Sequence, residues 1–387
     1  MDRRIRPGSI KGSILVPGSK SLAQRALLLA TTNGGEIRNV PDNEDVERLC
    51  GALNALGYAV TMDGPTRVVS ADPHNETAHV DLGDNGTGAR CILALAALRD
   101  AETTVDGSVA LRRRPVAPLC TALRELGAEV NGDEFPVTVR GPIRGGSVHI
   151  STELSSQFAT ALILLVDRVR GLRVHVSGRE SFSYVALTTL MHRTFRLPYT
   201  VEPDFSSAAA HAMAAATTGG DLILEKLGLS SPQPDARLLP FLNRAGARVT
   251  ETDHGVRVRG GSLKGLSVDL SNSPDLAPLF GVLGALAEGT TVVSGAPHLI
   301  HKESDRIQAT VKMIRTLGGE AEERPDGFVI EGGRPLSPAV LSAGGDHRIA
   351  MAAGVLALSV PGVTVADAEA VGKSYPGFFE DLDRLTL

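Results

Sequence analysis

Six times along this chain of 387 residues a polar or charged cluster runs into a small-residue, Ala/Leu-rich stretch. The six read GSKSLAQRALLLA, DNGTGARCILALAAL, LSSQFATALILL, DFSSAAAHAMAAA, SPDLAPLFGVLGALA and DHRIAMAAGVLAL. Each ends at a charged, polar or Gly/Pro breaker, and a short β-branched run such as GEIRNV, LRVHVSG, GTTVVSG or GVTVADA follows. That order predicts helix, stop, strand. A helix start offers unpaired backbone N–H groups and the positive end of the macrodipole, so it favours anions. Six such starts, several bearing Lys, Arg, Ser or His, predict a protein that grips more than one acidic group.

The anchor residues Ser21, Thr87, Ser156, Ser206, Asp275 and His347 are spaced by 66, 69, 50, 69 and 72 residues. Between anchors a second helix recurs as ALNALGYAV, ALRELGAEV, FLNRAGARV and MIRTLGGEA, each with a glycine suited to a left-handed stop. A hairpin-like segment with a turn signal comes next: TMDGPTRVV, NGDEFPVTV, TETDHGVRV and EERPDGFVI. The repeating unit is therefore helix, strand, helix, hairpin, and a period of roughly 70 residues is too long for an ordinary solenoid. The third unit breaks the pattern, running from YVALTTLMHRTF through RLPYTVEPD straight to the next anchor. The sixth lacks a hairpin because the chain ends. Three units before the break and three after it predict two similar domains.

Composition narrows the class. A net charge of −5 argues against general nucleic-acid or anionic-membrane binding without forbidding a local basic pocket. Cys50, Cys91 and Cys120 are odd in number and lack metal-ligand spacing, which predicts a reduced, cytoplasmic setting. No run approaches transmembrane length, and MDRRIRPGSIKGS has no hydrophobic signal core.

Chemistry is suggested by clusters rather than by single residues. Lys20, Ser21 and Arg25 at the first helix start form a cation, a hydroxyl and a guanidinium able to clamp a carboxylate or phosphate, though an N-cap serine beside two solvated cations has the same spacing. Gly86 and Gly88 flank Thr87, so backbone can approach a ligand closely, and Arg90 follows one turn later. Of Arg112, Arg113 and Arg114, held before Pro115, one could point inward. Ser155, Ser156 and Gln157 suit an oxygen-rich ligand, and Ser181 and Tyr184 could add hydroxyls. Farther on, His301, Lys302, Glu303, Asp305 and Arg306 read either as a salt-laced helix face or as a loop entering a site. Asp346, His347, Arg348 and Lys373 place charge near later helix starts, and Asp275 is either a cap or a base. Eight cations on repeat-equivalent segments of an acidic protein are hard to explain as surface charge.

At this point the chain resembles the family of 5-enolpyruvylshikimate-3-phosphate synthases, or 3-phosphoshikimate 1-carboxyvinyltransferases, from VPGSKS to KSYPGFFEDL. The motifs that carry the resemblance are GSKSxxxRALLLA, GTxxR, RRP, SSQF, KESDR, DHRxAM and the final Lys with its PGFF tail. The fold so implied is α/β, with two similar domains of three βαβαββ-type repeats each, an inside-out α/β barrel, the third repeat truncated. Residues 1–18 with 203–387 would carry both termini, and 19–202 would form an inserted, acceptor-side domain. The implied activity transfers the enolpyruvyl group of phosphoenolpyruvate to the 5-hydroxyl of shikimate 3-phosphate, releasing phosphate, with domains that close over the substrates. Lys20, Gly86, Arg114, Gln157, Arg306, Arg348 and Lys373 match the family's phosphoenolpyruvate contacts. Ser21, Arg25, Ser155, Ser156, Ser181, Tyr184, Asp275 and Lys302 match its acceptor contacts. Asp275 and Glu303 match its acid–base pair with Lys20 and His347 nearby, and Thr87 and Arg90 look like supports. The resemblance implies no metal or cofactor, small-molecule partners only, and a monomer; Gly86 favours sensitivity to glyphosate.

Three departures stand out: the missing hairpin, Asp84 where the family usually has Asn, and Cys91 where it commonly has Pro. Asp84 would repel a phosphate unless it caps the helix and faces away. A pathway-specific enolpyruvyl transferase acting on another phosphorylated cyclic alcohol is the alternative that the short third unit motivates. A transferase acting on UDP-N-acetylglucosamine would carry a Cys between Ser108 and Arg113, and there is none. A non-catalytic relative would have lost some of the acid–base or cation positions, and none is lost.

Overall fold

The computed structural model describes residues 1–71, 73 and 75–387, which divide into two compact units. The terminal unit is Met1–Pro17 with Pro203–Leu387, and the inserted unit is Gly18–Glu202. Each has its own hydrophobic core. The six small-residue stretches are inner helices: Lys20–Ala30, Gly86–Ala96 and Gln157–Ile163 in the inserted unit, Phe205–Thr217, Ala277–Leu286 and His347–Ser359 in the terminal one. A helix apolar on all sides must be enclosed on all sides. Gly86–Ala96 accordingly buries ten of its eleven residues.

Around the inner helices lie open sheets, none of them closed on itself among the described residues. In the second repeat Ala78–Asp81 pairs in parallel with Thr103–Asp106, joined through the inner helix as a crossover. A second helix, Ala117–Glu125, stops near Gly127, and the hairpin Glu129–Asn131/Val137–Arg140 adds two antiparallel strands. The expected stop glycines Gly57, Gly127, Gly246 and Gly318 have φ of 90°, 94°, 110° and 84°, a region a side chain would strain. Hairpins also stand at Val60–Asp63/Thr66–Val69, Arg248–Thr252/Gly255–Arg259 and Glu320–Arg324/Gly327–Glu331.

The incomplete repeats are finished in ways the repeat pattern does not disclose. Arg3–Arg4 pairs antiparallel with Thr364–Ala366, filling in the sixth repeat the place a hairpin strand fills elsewhere. Lys11–Ile14, just before the chain leaves the terminal unit, is the parallel first strand of the fourth repeat. Tyr199–Thr200, just before the chain leaves the inserted unit, plays that part in the first repeat. The third repeat keeps only Ser147–Ser151 and Arg173–Ser177, a two-stranded parallel sheet. Among the described residues no helix is long and apolar enough to cross a membrane.

Candidate active site

Parallel strands present their carboxyl ends on one side, where open α/β sheets bind ligands. In each repeat two loops leave that side, one leading into the inner helix and one following the second strand. In the inserted unit the first kind supplies Lys20–Ser21, Gly86–Arg90 and Ser155–Gln157. The second kind supplies Asp45, Ser108–Arg114 and Ser181–Tyr184.

Arg25 is buried, and its Nε donates to Thr188 Oγ1 (2.8 Å), its Nη1 to Ser21 O (2.9 Å) and its Nη2 to Thr160 Oγ1 (3.3 Å). Its Cζ lies 6.0 Å from the Tyr184 ring centroid. Arg90 is buried too, donating to Gly86 O (3.0 Å), Gln157 Oε1 (2.8 Å) and Pro115 O, with Cζ 5.3 Å from the Phe158 ring. Every one of these acceptors is neutral. Burial pushes both guanidinium pKa values down, and Arg114 adds to the effect at Arg90. A cation taken out of water without a counter-ion is costly, so the setting of this pair favours an anionic neighbour.

The remaining residues frame that charge. Gln157 Nε2 donates to Thr87 Oγ1 (2.9 Å), and Gln157 N donates to Ser155 Oγ (3.2 Å). Ser156 is buried at the start of its helix. A Cβ on Gly86 would lie 2.5 Å from Arg114 Nη1, so the guanidinium packs directly on this glycine. Among the three consecutive arginines, Arg112 is forked onto Asp106 (2.9 and 2.6 Å), Arg113 is exposed, and Arg114 is the inward one. Ser181 adopts a left-handed φ of 53°, a strained setting for a serine, and Tyr184 N donates to Ser181 O (3.0 Å). Asp84 Oδ1 accepts from Ser108 Oγ. The cap is instead Asn85, whose Oδ1 accepts from Gly88 N (2.7 Å) while its Nδ2 donates to Asp45 O (2.6 Å). Lys20 Nζ pairs with Asp45 Oδ2 at 2.8 Å.

In the terminal unit the charges balance. Arg306 is buried at the start of helix Arg306–Thr316, which Asp305 caps, so KESDR is a loop feeding a helix rather than a salt-laced face. Its Nη1 donates to Asp275 Oδ1 (2.7 Å), and Nε and Nη2 donate to Asp346 (2.8 and 3.2 Å). Glu303 accepts from His347 Nδ1 (2.8 Å) and Lys373 Nζ (2.9 Å). Asp346 also accepts from Ser304 Oγ (2.9 Å) and Arg348 N (2.9 Å). Burial pushes Glu303 up, but His347, Lys373 and Arg306 outweigh it and hold the carboxyl well below its usual range. Burial is likewise outweighed at Asp275, by Arg306, Lys302, Arg348 and His347. Both carboxylates are therefore ionised at neutral pH. Asp275 lies in the 3-10 turn Pro274–Leu276 before its helix and is not the N-cap residue of either element, and its Oδ1 is engaged by Arg306.

Glu303, Asp346 and His347 bring ligand-type atoms within 4.8 Å of one another. Their carboxylates are already engaged by Arg306 and Lys373, so the group reads as a proton and cation network. Two acids were missed in reading the residues singly, Asp45 and Asp235. Each sits in the first turn after the second strand of its unit's opening repeat, and aligning the repeats against one another would have exposed both.

Comparison with known proteins agrees with this picture. The sequence model for EPSP synthase (3-phosphoshikimate 1-carboxyvinyltransferase) matches residues 5–198 and 192–382, two segments that meet beside the missing hairpin. The 3-phosphoshikimate 1-carboxyvinyltransferase of Methanothermobacter thermautotrophicus is 37% identical over 97% of this chain and 96% of its own length. That of Syntrophobacter fumaroxidans is 38% identical over 100% of both. The solved EPSP synthase of Acinetobacter baumannii superposes with a TM-score of 0.79 at 23% identity, covering 100% of this chain and 98% of that one, which establishes a shared fold. The chain belongs to the EPSP synthase family.

Proposed function

We propose that this chain transfers the enolpyruvyl group of phosphoenolpyruvate to the 5-hydroxyl of shikimate 3-phosphate, as the names of its relatives indicate. The observation that carries the reading is the pair Arg25 and Arg90, two enclosed cations whose hydrogen-bond partners are all neutral. Their setting favours an anionic ligand strongly, and both reactants are multiply charged anions.

Chemically, the acceptor hydroxyl loses its proton as its oxygen bonds to C2 of phosphoenolpyruvate, while C3 gains a proton. The tetrahedral ketal phosphate then loses a C3 proton as the C2–O bond to phosphate breaks, giving the enolpyruvyl ether and inorganic phosphate. Asp275 and Glu303 are ionised and serve as the proton acceptors. Lys20, paired with Asp45 at 2.8 Å, is assigned to proton delivery at C3. Ser21, Arg25, Ser155, Ser156, Ser181, Tyr184 and Lys302 are assigned to the acceptor. Gly86, Arg114, Gln157, Arg306, Arg348 and Lys373 are assigned to phosphoenolpyruvate, with Thr87, Arg90 and His347 in support.

Arg306 joins binding to chemistry. The Nη1 that donates to Asp275 is a donor an incoming carboxylate would claim. Sharing it weakens the ion pair and raises the basicity of Asp275 at the moment a base is needed. Phosphate release measured with both substrates tests the function. Release that requires both supports it, and release only with a different phosphorylated cyclic alcohol would assign the chain to that acceptor instead.

A further inference from the structure

The opening repeats of the two units set an acid against the start of the inner helix in the same way. In the inserted unit Asp45 meets Lys20 at 2.8 Å. In the terminal unit Asp235 meets Ser206, whose Oγ donates to Oδ2 at 2.5 Å. Where one repeat has a cation the other has a hydroxyl. Asp235 is 2% exposed, makes no ion pair among the described residues, and its Oδ1 has no hydrogen-bond partner. Such a carboxyl is costly to keep charged, and natural proteins rarely leave one so.

The groups acting on Asp235 come from three neighbouring elements besides its own 3-10 turn Pro234–Arg237. Asp275 acts from the turn Pro274–Leu276, Arg348 from helix His347–Ser359, and Asp204 from the cap of helix Phe205–Thr217. Two are negative and one is positive. Arg348 is thus the only cation among them, and it is also assigned above to phosphoenolpyruvate.

We propose that Asp235 is a positioning residue for Arg348 and Asp275 that takes up a proton when an anion engages the Arg348 guanidinium. With the anion in place, part of the positive charge that offsets Asp235 is spent elsewhere, and the neutral acid becomes the favoured form. Neutral Asp235 then stops competing for Arg348 and stops repelling Asp275. Burial first, and the charge of Asp275 second, already push this carboxyl up to about 7, so the exchange falls in the working pH range. Linkage fixes the sign: if binding takes up a proton, affinity for the anion falls as pH rises through that range.

The inference rests on the assignment of phosphoenolpyruvate to Arg348, and two probes separate the failure of one from the failure of the other. The first is KM for phosphoenolpyruvate between pH 6.5 and 8.5 at saturating acceptor, in wild type and Asp235→Asn. Wild-type KM rises about tenfold more steeply than that of the variant, which mimics the neutral acid at every pH. Ser206→Ala, which removes the one hydrogen bond favouring the charged form, moves the wild-type inflection to higher pH. The second probe is sulfate, which does not titrate here, read as the gain in melting temperature at each pH. Sulfate stabilises wild type more at pH 6.5 than at 8.5 and stabilises Asp235→Asn equally at both. Equal pH dependence in wild type and Asp235→Asn with both probes overturns the proposal. So does a variant that loses kcat uniformly with no change in pH profile, since that is a structural role. Should neither substrate turn over while sulfate still shows the difference, the proton linkage stands and the substrate assignment fails.

Discussion

At Gly86 a single hydrogen atom leaves room for Arg114, and a methyl group would stand 2.5 Å from its Nη1. The guanidinium is the movable partner, so Gly86→Ala should displace Arg114 and spare the fold. We expect KM for phosphoenolpyruvate to rise by about tenfold or more, one mispositioned charge-assisted contact, with the melting temperature within about 2 °C of wild type. A KM within twofold would remove Arg114 from the site. Asp275 and Glu303 should behave differently. Asp275→Asn and Glu303→Gln keep shape while removing the proton acceptor, and each should lower kcat by about 100-fold to 10,000-fold. Pre-steady-state turnover measured with folded variants decides this, and wild-type rates would refute the assignment.

On the scale of helices and strands, the Asn85 cap ties the start of Gly86–Ala96 to Asp45 and thereby to Lys20. Asn85→Ala leaves the Gly88 amide without its acceptor and should cost about 1–2 kcal/mol in urea unfolding. A loss below about 0.3 kcal/mol would mean that the cap is dispensable. The third repeat offers a second test. Arg173 N and Ser177 O point toward the neighbouring strand, so the N–H groups of Val174 and Val176 point the other way, where the complete repeats place an antiparallel strand. Their amides should exchange with solvent faster than those of Thr103–Asp106, and slow exchange would show that the edge is covered. The inner helices, stop glycines and four hairpins could be read from residues because each is a local signal: small residues, a positive φ, a turn. Arg3–Arg4, Lys11–Ile14 and Tyr199–Thr200 could not, since each pairs with a strand far away in the chain and carries no periodicity of its own. The cations of the proposed site were legible as a cluster because several stand at or near those same helix starts. Asp235 was not readable by itself, because the charged groups around it come from elements distant in sequence and only its equivalence to Asp45 between the two opening repeats marks it.

Across the whole molecule, sensitivity to acid should concentrate in the terminal unit. His211 is fully enclosed there, with the Phe378 ring edge-on at 5.3 Å, and burial lowers its pKa to about 4. His298, in the same unit, is lowered to about 3 by burial and then by Lys302. Below pH 6.5 the unfolded chain binds protons that the folded histidines refuse, so stability falls as pH drops from 6.5 toward 4. His211 alone contributes up to about 3 kcal/mol of that loss. Urea unfolding at pH 7.5 and 5.0 should show a smaller difference for His211→Gln than for wild type, and an equal difference would contradict the account. The two units also divide the electrostatic work. On the proposed function the terminal unit balances its charges for proton exchange, while the inserted unit holds cations for a ligand to complete. That second claim is tested most directly by Arg25→Met, examined by thermal unfolding and by calorimetric titration with shikimate 3-phosphate. Removing an enclosed cation with no counter-ion among the described residues should hold or raise the melting temperature while weakening acceptor binding by about 100-fold or more. A variant that melts lower yet binds the acceptor as tightly as wild type would contradict it.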